Sequence, residues 1–238
     1  LQADAMKMAM EAHRRDMPYC MGSLVWQHND CWPVASWSSR DYYGRWKAQH
    51  YFTVKSFSDI LISPIEEEGK LKVFAVSDRL KKAIGRLTVD LRKGVVTSRC
   101  VRADVAANTS KVIWIGDIRE LLGNLEREDV VLRFTWQDNQ GQAYTNSCFL
   151  AKQKEMNYPK VHIATTIIPV KDGYEITLKS DAFARAVFLS IIGDTDNFIS
   201  DNYIDLFPNE SVTVSVQTQL SMQDVRDKLN VISFVDTY

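Results

Sequence analysis

No stretch of this sequence approaches the roughly 20 consecutive apolar residues that a membrane-spanning helix requires, and its opening, LQADAMKMAMEAHRRD, alternates apolar with charged side chains. Neither an anchor nor a signal peptide is read there. Four cysteines stand at positions 20, 31, 100 and 148 without a CxxC spacing. A chain of 238 residues needs no disulfide framework, so they are read as reduced, mostly buried thiols. HExxH, the Walker loop, GxGxxG and GxSxG are all missing, which excludes zincins, P-loop NTPases, dinucleotide binders and hydrolases with a nucleophile elbow. Neither charge sign dominates: 29 Lys and Arg face 30 Asp and Glu for a net charge of -1. Bulk electrostatics therefore asks for neither a nucleic-acid backbone nor an anionic membrane. With 45% hydrophobic and 25% charged residues, disorder, collagen-like repeats and a disulfide-knotted toxin are excluded. The length fits one large domain or two modest ones.

What is present is unevenly spread. Of 25 aromatic residues, ten lie between Tyr19 and Phe57, and four of the six tryptophans fall between Trp26 and Trp46. Charge divides the chain as well: residues 1–57 carry +2, residues 58–157 carry +2 and residues 158–238 carry -5. The chain also opens with Leu1 inside a helical pattern, as a piece of a longer protein would.

Each zone has its own periodicity. In residues 1–57, Ala3, Met6, Met10 and His13 recur at helical spacing, with Lys7, Glu11, Arg14 and Arg15 on other faces. Gly22 to Trp26 reads as a strand buried on both faces, and Asp41, Tyr43, Trp46, His50, Val54 and Phe57 return to helical spacing. One strand cannot make a sheet, so this αβα stretch is expected to fold back on the middle zone or to self-associate with another copy. Residues 58–157 switch to period two: Leu71, Val73 and Ala75; Leu87, Val89 and Leu91; Val130, Leu132, Phe134 and Trp136. Asn139-Gln140-Gly141 predicts a hairpin turn, Asp117 to Leu125 a short helix, and the whole a β-sandwich. Residues 158–238 repeat the pattern, with Asp172-Gly173 as a hairpin turn, Ala186 to Ile192 as a central strand and Val212, Val214 and Val216 alternating with polar residues. The fold class is therefore mainly β: two antiparallel β-sandwiches behind an incomplete α/β piece.

Several polar groups have bland explanations. Asp194-Thr195-Asp196-Asn197 resembles the start of an EF-hand loop, but the sixth position holds Ile199 and the twelfth Asp205, so a polar loop built on Asx turns is expected. Glu66-Glu67-Glu68 reads as a solvated turn before a strand. The four histidines lack ligand spacing, and His13 and His50 are assigned to helix cores. No metal or other cofactor is implied. The block Trp26-Gln27-His28-Asn29-Asp30-Cys31-Trp32-Pro33-Val34-Ala35-Ser36-Trp37 leaves two readings open. Flat rings beside amides and a carboxylate can stack on and hydrogen-bond a sugar, or they can form a packing seam.

That block, extended from Met21 to Ser39 and followed by Asp41-Tyr42-Tyr43-Gly44-Arg45-Trp46-Lys47-Ala48, closely resembles the end of the catalytic barrel of β-mannosidases in glycoside hydrolase family 2. The tail FISDNYIDLFPNE, Phe198 to Glu210, resembles their last sandwich, with Asn209 where glycine is usual. The resemblance implies that residues 1–57 are the seventh helix, eighth strand and eighth helix of a (β/α)8 barrel, followed by Ig-like sandwiches at 58–157 and 158–238. In such barrels the site lies at the C-terminal strand ends, so Trp26 would floor the mannose subsite, with Asn29 and Asp30 as further substrate contacts. Retaining hydrolysis needs two carboxyls roughly 5–5.5 Å apart. The family's two glutamates lie upstream of this chain, which is thus expected to belong to an exo-acting β-mannosidase, to bind β-mannosides and to be inactive alone. A periplasmic, extracellular or lysosomal location follows from the resemblance. The alternatives are a non-catalytic carbohydrate-binding module using Trp114 and Trp136, or another family 2 activity, β-galactosidase or β-glucuronidase.

Overall fold

The computed structural model describes residues 1–93 and 95–237, and the side chains of all of these except residues 92, 93 and 95–98. Two helices precede the strands, α1 (Gln2–Arg15) and α2 (Ala48–Ser56). The chain then divides into two compact units, one of Leu1–Val25 with Phe52–Asn157, the other of Trp26–Tyr51 with Tyr158–Tyr238.

In the first unit β1 (Ile60–Glu67), β2 (Lys70–Ser77), β3 (Ala83–Lys93), β4 (Val95–Val105), β5 (Thr109–Asp117), β6 (Val131–Asp138) and β7 (Ala143–Phe149) form two antiparallel sheets. Their orders are β1-β2-β5 and β4-β3-β6-β7. Alternation puts Leu71 and Val73 of one sheet against Leu87, Val89, Phe134 and Trp136 of the other, all buried in one cluster. Trp136 is fully buried and Trp114 packs half-buried on the same cluster. The indole of Trp136 lies across Gly85, where an added Cβ would come within 2.5 Å of the ring. The predicted helix at Asp117 is α3 (Ile118–Leu122), whose Asp117 side chain accepts hydrogen bonds from the Arg119 and Glu120 amides at its N-terminus.

The second unit holds β8 (Ile163–Val170), β9 (Gly173–Ser180), β10 (Ala184–Ile191), β11 (Phe198–Ile199), β12 (Ile204–Leu206), β13 (Ser211–Gln217), α4 (Met222–Lys228) and β14 (Leu229–Ile232). Sheets β11-β13-β9-β8 and β12-β10-β14 enclose Ile176, Leu178, Val187, Leu189, Val214 and Val216. Where β10 and β12 shift register, side chains replace missing ladder bonds. Buried Asn202 accepts from the Leu189 amide and donates to the Leu189 carbonyl, both at 2.8 Å. Asp205 accepts from Arg185 at 2.7 Å and from the Ala186 amide at 3.1 Å. Asn209 has φ +65°, the left-handed region that glycine and asparagine tolerate best. The 194–197 loop carries the expected Asx turn, the Asp196 amide donating to the Asp194 carboxylate at 3.0 Å.

The structure departs from expectation in four ways, three of them within the first 57 residues. Gly22 to Trp26 forms no strand, and Leu24 stands fully in water. A strand needs a neighbour's N–H and C=O groups, and among the described residues this segment has none. Helix α2 begins at Ala48 rather than near Asp41, because Asp41 closes a turn with Arg45 instead, accepting its amide at 2.9 Å and its guanidinium at 2.6 Å. Its buried residues are Gln49, Tyr51, Phe52 and Ser56, while Tyr43, Val54 and Phe57 are exposed. On α1 the buried face is Ala3, Met10, Glu11 and Arg14, whereas His13 is exposed and meets Ser23 Oγ at 2.9 Å. Finally, the cysteines are free but not mostly buried: Cys31 and Cys100 are exposed.

Helix α1 turns charge inward because the sheet beneath it offers partners. Glu11 accepts from Lys7 Nζ at 2.6 Å, Ser63 Oγ at 2.7 Å and Asn146 Nδ2 at 2.9 Å. Arg14 donates to the carbonyls of Ser56 and Ser58 at 2.6 and 2.8 Å and to the Asp78 carboxylate at 2.8 Å. A buried charge is tolerable only when its hydrogen-bonding capacity is filled in this way.

Candidate functional site

The aromatic block is a loop fastened at its base. Segment Gln27–Asp30 runs beside Ser39 and Arg40, with the Ser39 amide donating to Gln27 O at 3.2 Å, the Arg40 amide to His28 O at 3.0 Å and the Asp30 amide to Arg40 O at 3.1 Å. Arg40 is bridged in turn to Trp46. Asp30 sits at the centre, 3% exposed. Its carboxylate accepts from the hydroxyls of Ser36 and Ser38, the latter at 2.8 Å, and from Lys47 Nζ at 3.2 Å. The Ser36 hydrogen bond first, then those of Ser38 and Lys47, hold this carboxyl below the usual range against the opposing cost of burial.

Around that base the rings take two roles. Trp46 packs on His50 at 4.2 Å, on Tyr51 at 5.2 Å and on Phe198 at 5.0 Å. Tyr51 reaches Tyr203 at 6.0 Å and donates its hydroxyl to Ile199 O at 3.1 Å. Burial pushes its phenol up to about 12. Trp46 and Tyr51, which lie outside the Trp26–Trp37 block, form a packing seam that joins the two sequence stretches carrying the resemblance. Trp26 does the opposite: its ring is 77% exposed. Trp32 and Trp37 are exposed beyond it. Asn29 is also exposed, its amide donating to the Asp30 carbonyl at 3.1 Å.

Of the three residues expected to touch substrate, the structure brings them together on one short segment but in different environments. Trp26 and Asn29 face solvent, while Asp30 points into the loop and is filled by protein donors. Ser36, Ser38 and Lys47, which hold it, were missed by sequence reading. Their only signal is the polar run Ser36-Trp37-Ser38-Ser39, and nothing local ties it to Asp30 or to a lysine eleven residues on from Ser36. Glu11, the one glutamate of the first 57 residues, is saturated by Lys7, Ser63 and Asn146. Among the described residues no group of three or more His, Cys, Asp or Glu side chains is placed to hold a metal, and no helix is long and apolar enough to cross a membrane.

Residues 69–155 match the Mannosidase Ig/CBM-like domain and residues 158–237 an Ig-fold domain of the mannosidase type. The whole chain aligns with the β-mannosidase of Rattus norvegicus, 29% identical over 257 residues that cover 100% of this chain and 29% of that protein. The crystal structure of a β-D-mannosidase from Dictyoglomus thermophilum superimposes with a TM-score of 0.83 at 25% identity, covering 98% of this chain and 28% of that one. Over its whole length the chain is similar to β-mannosidases, and its two sandwiches match mannosidase Ig-type domains. It spans under a third of the length of these family members. An exo-chitosanase from Amycolatopsis orientalis shares the fold alone, with a TM-score of 0.71 and 14% identity over 98% of this chain and 33% of that one.

Proposed function

We propose that this chain is part of an exo-acting β-mannosidase that removes terminal β-D-mannose with retention of configuration, and that its own contribution is sugar binding. The observation carrying this reading is Trp26, a ring left in water at the mouth of a loop whose base is locked by Asp30, Ser36, Ser38 and Lys47. An indole held in that manner presents a flat face to the C–H side of a pyranose, and Asn29 beside it can pair a hydroxyl. Asp30 serves the substrate indirectly, by fixing the segment that carries the other two. In retaining hydrolysis one carboxylic acid protonates the leaving oxygen while a carboxylate attacks the anomeric carbon, and water then releases the sugar. Asp30 and Glu11 are occupied by protein donors, and the chain by itself is expected to be inactive.

An aryl β-mannoside tests the reading. Full-length protein containing this chain should release the phenol, the isolated chain should not, and Trp26→Ala in the full-length protein should lower kcat/KM about 100-fold through lost positioning. Turnover by the purified chain would overturn the inactivity, and unchanged kinetics in Trp26→Ala would remove Trp26 from the site.

A further inference from the structure

The outer face of the β4-β3-β6-β7 sheet is built in cross-strand rows. Arg102, Arg86, Gln137 and Ala143 stand opposite one another in the end row, and Cys100, Thr88, Thr135 and Thr145 in the next. All four residues of the end row are exposed. Two arginines directly opposite on neighbouring strands, with Cβ atoms roughly 5 Å apart by pairing geometry, repel each other and cost stability unless a counter-charge lies between them. Here none does. Among the described residues no carboxylate pairs with either guanidinium. The acid nearest along β4, Asp104, is taken by Lys82 at 2.5 Å and Lys111 at 3.7 Å. Asp90, two rows along β3, stands directly opposite Arg133. Asp104 is thus taken up by the two lysines, and neither arginine shares it.

We propose that this row is a binding site for the sulfate or carboxylate groups of an acidic glycan. Two guanidinium forks side by side can each give parallel N–H bonds to one oxyanion, the geometry that makes arginine the preferred partner of such groups. The bound anion would also supply the missing counter-charge. A glycan rather than a bare ion fits the flanking side chains: the Gln137 amide in the same row and the Thr88 and Thr135 hydroxyls in the next are neutral hydrogen-bonding groups suited to sugar hydroxyls. The site is independent of Trp26 and of the reaction assigned to the parent protein.

Retention of the chain on immobilised dextran sulfate, against plain dextran, is the direct test. The wild-type chain should bind the sulfated polymer and not the plain one, Arg86→Ala and Arg102→Ala should each weaken binding at least 10-fold, and Arg119→Ala, an exposed arginine on α3, should leave it unchanged. Thermal melting in low salt supplies a second readout. Arg102→Thr should melt no lower than wild type, because it removes a like-charge pair, and should lose the stabilisation that dextran sulfate gives wild type. The proposal is overturned by absence of wild-type retention, by equal loss in Arg119→Ala, or by a lower melting point of Arg102→Thr. Equal affinity for duplex DNA, or for inorganic sulfate taken group by group, would equally overturn the glycan assignment.

Discussion

The first 51 residues attach to their two units by opposite chemistry. Helix α1 is held by buried ions, Glu11 and Arg14 satisfied by Lys7, Ser63, Asn146, Asp78 and two carbonyls. The aromatic loop and the start of α2 are held by rings, Trp46 and Tyr51 against Phe198 and Tyr203. The difference teaches where sequence reading fails. Ring packing follows hydrophobicity and aromatic content, which the sequence displays, whereas these buried ions depend mostly on partners 42 to 135 residues away, which it does not.

Breaking the ionic attachment should have the largest effect. Glu11→Ala leaves Lys7, Ser63 and Asn146 without their acceptor and should destabilise the first unit by about 3–5 kcal/mol in urea denaturation; a loss under about 1 kcal/mol would mean that α1 is held by its apolar residues alone. On the ring side, half-buried Trp46→Ala should cost about 2–3 kcal/mol, at the low end for a truncated aromatic, and the cost should be the same in low and high salt. Tyr51→Phe keeps the ring and deletes the hydroxyl with its bonds to Ile199 O and the Asn202 side chain, so about 1 kcal/mol is expected by the same measurement.

Smaller effects come from pH. Burial, then the nearby His28 and Arg40, hold the His50 imidazole below its ordinary 6.5. Because the unfolded chain then binds a proton more readily than the folded one, this contribution is complete above the ordinary value and is lost as pH falls through it toward the lowered one. Asp30, held below 3.8, loses its contribution only at still lower pH. Acidification from about pH 7 to about pH 5 should therefore loosen the loop through His50 and not Asp30. Tryptophan fluorescence should follow this change, and His50→Gln should abolish it. Smallest of all, Trp26→Ala should change stability by no more than about 0.5 kcal/mol, since its ring touches water rather than protein. A larger loss would place Trp26 in the packing seam with Trp46 and leave the proposed sugar contact without its ring.

Much of the β architecture was legible. The period-two runs at Leu71–Ala75, Leu87–Leu91, Val130–Trp136 and Val212–Val216 all lie in or beside strands of the two sandwiches, and the Asn139–Gly141 and Asp172-Gly173 turns join paired strands. Strand β1 was not recognised: Ile60, Leu61 and Ile62 are buried in a row, so alternation gave no signal. The short strands β11, β12 and β14 were missed for a different reason, since two to four residues carry too little pattern and are fixed by pairing with strands far off in sequence. Of the site, the identity of the loop and the prominence of Trp26 were legible, but the distinction between Trp26, left outside, and Asp30, turned inward, was not.

By itself the sequence determined the class of this protein. Alternating apolar residues specify sandwich faces, glycine and asparagine specify the turns, and the tryptophan-rich loop specifies the family it resembles. Tertiary structure decided which charged residues go inside, that Gly22–Trp26 joins no sheet among the described residues, and that Arg86 and Arg102 meet without a counter-ion. All three depend on what a distant segment supplies: a hydrogen-bond acceptor, a neighbouring strand or an opposing charge. Local propensity carries no information about such partners, and only the folded chain brings them within reach.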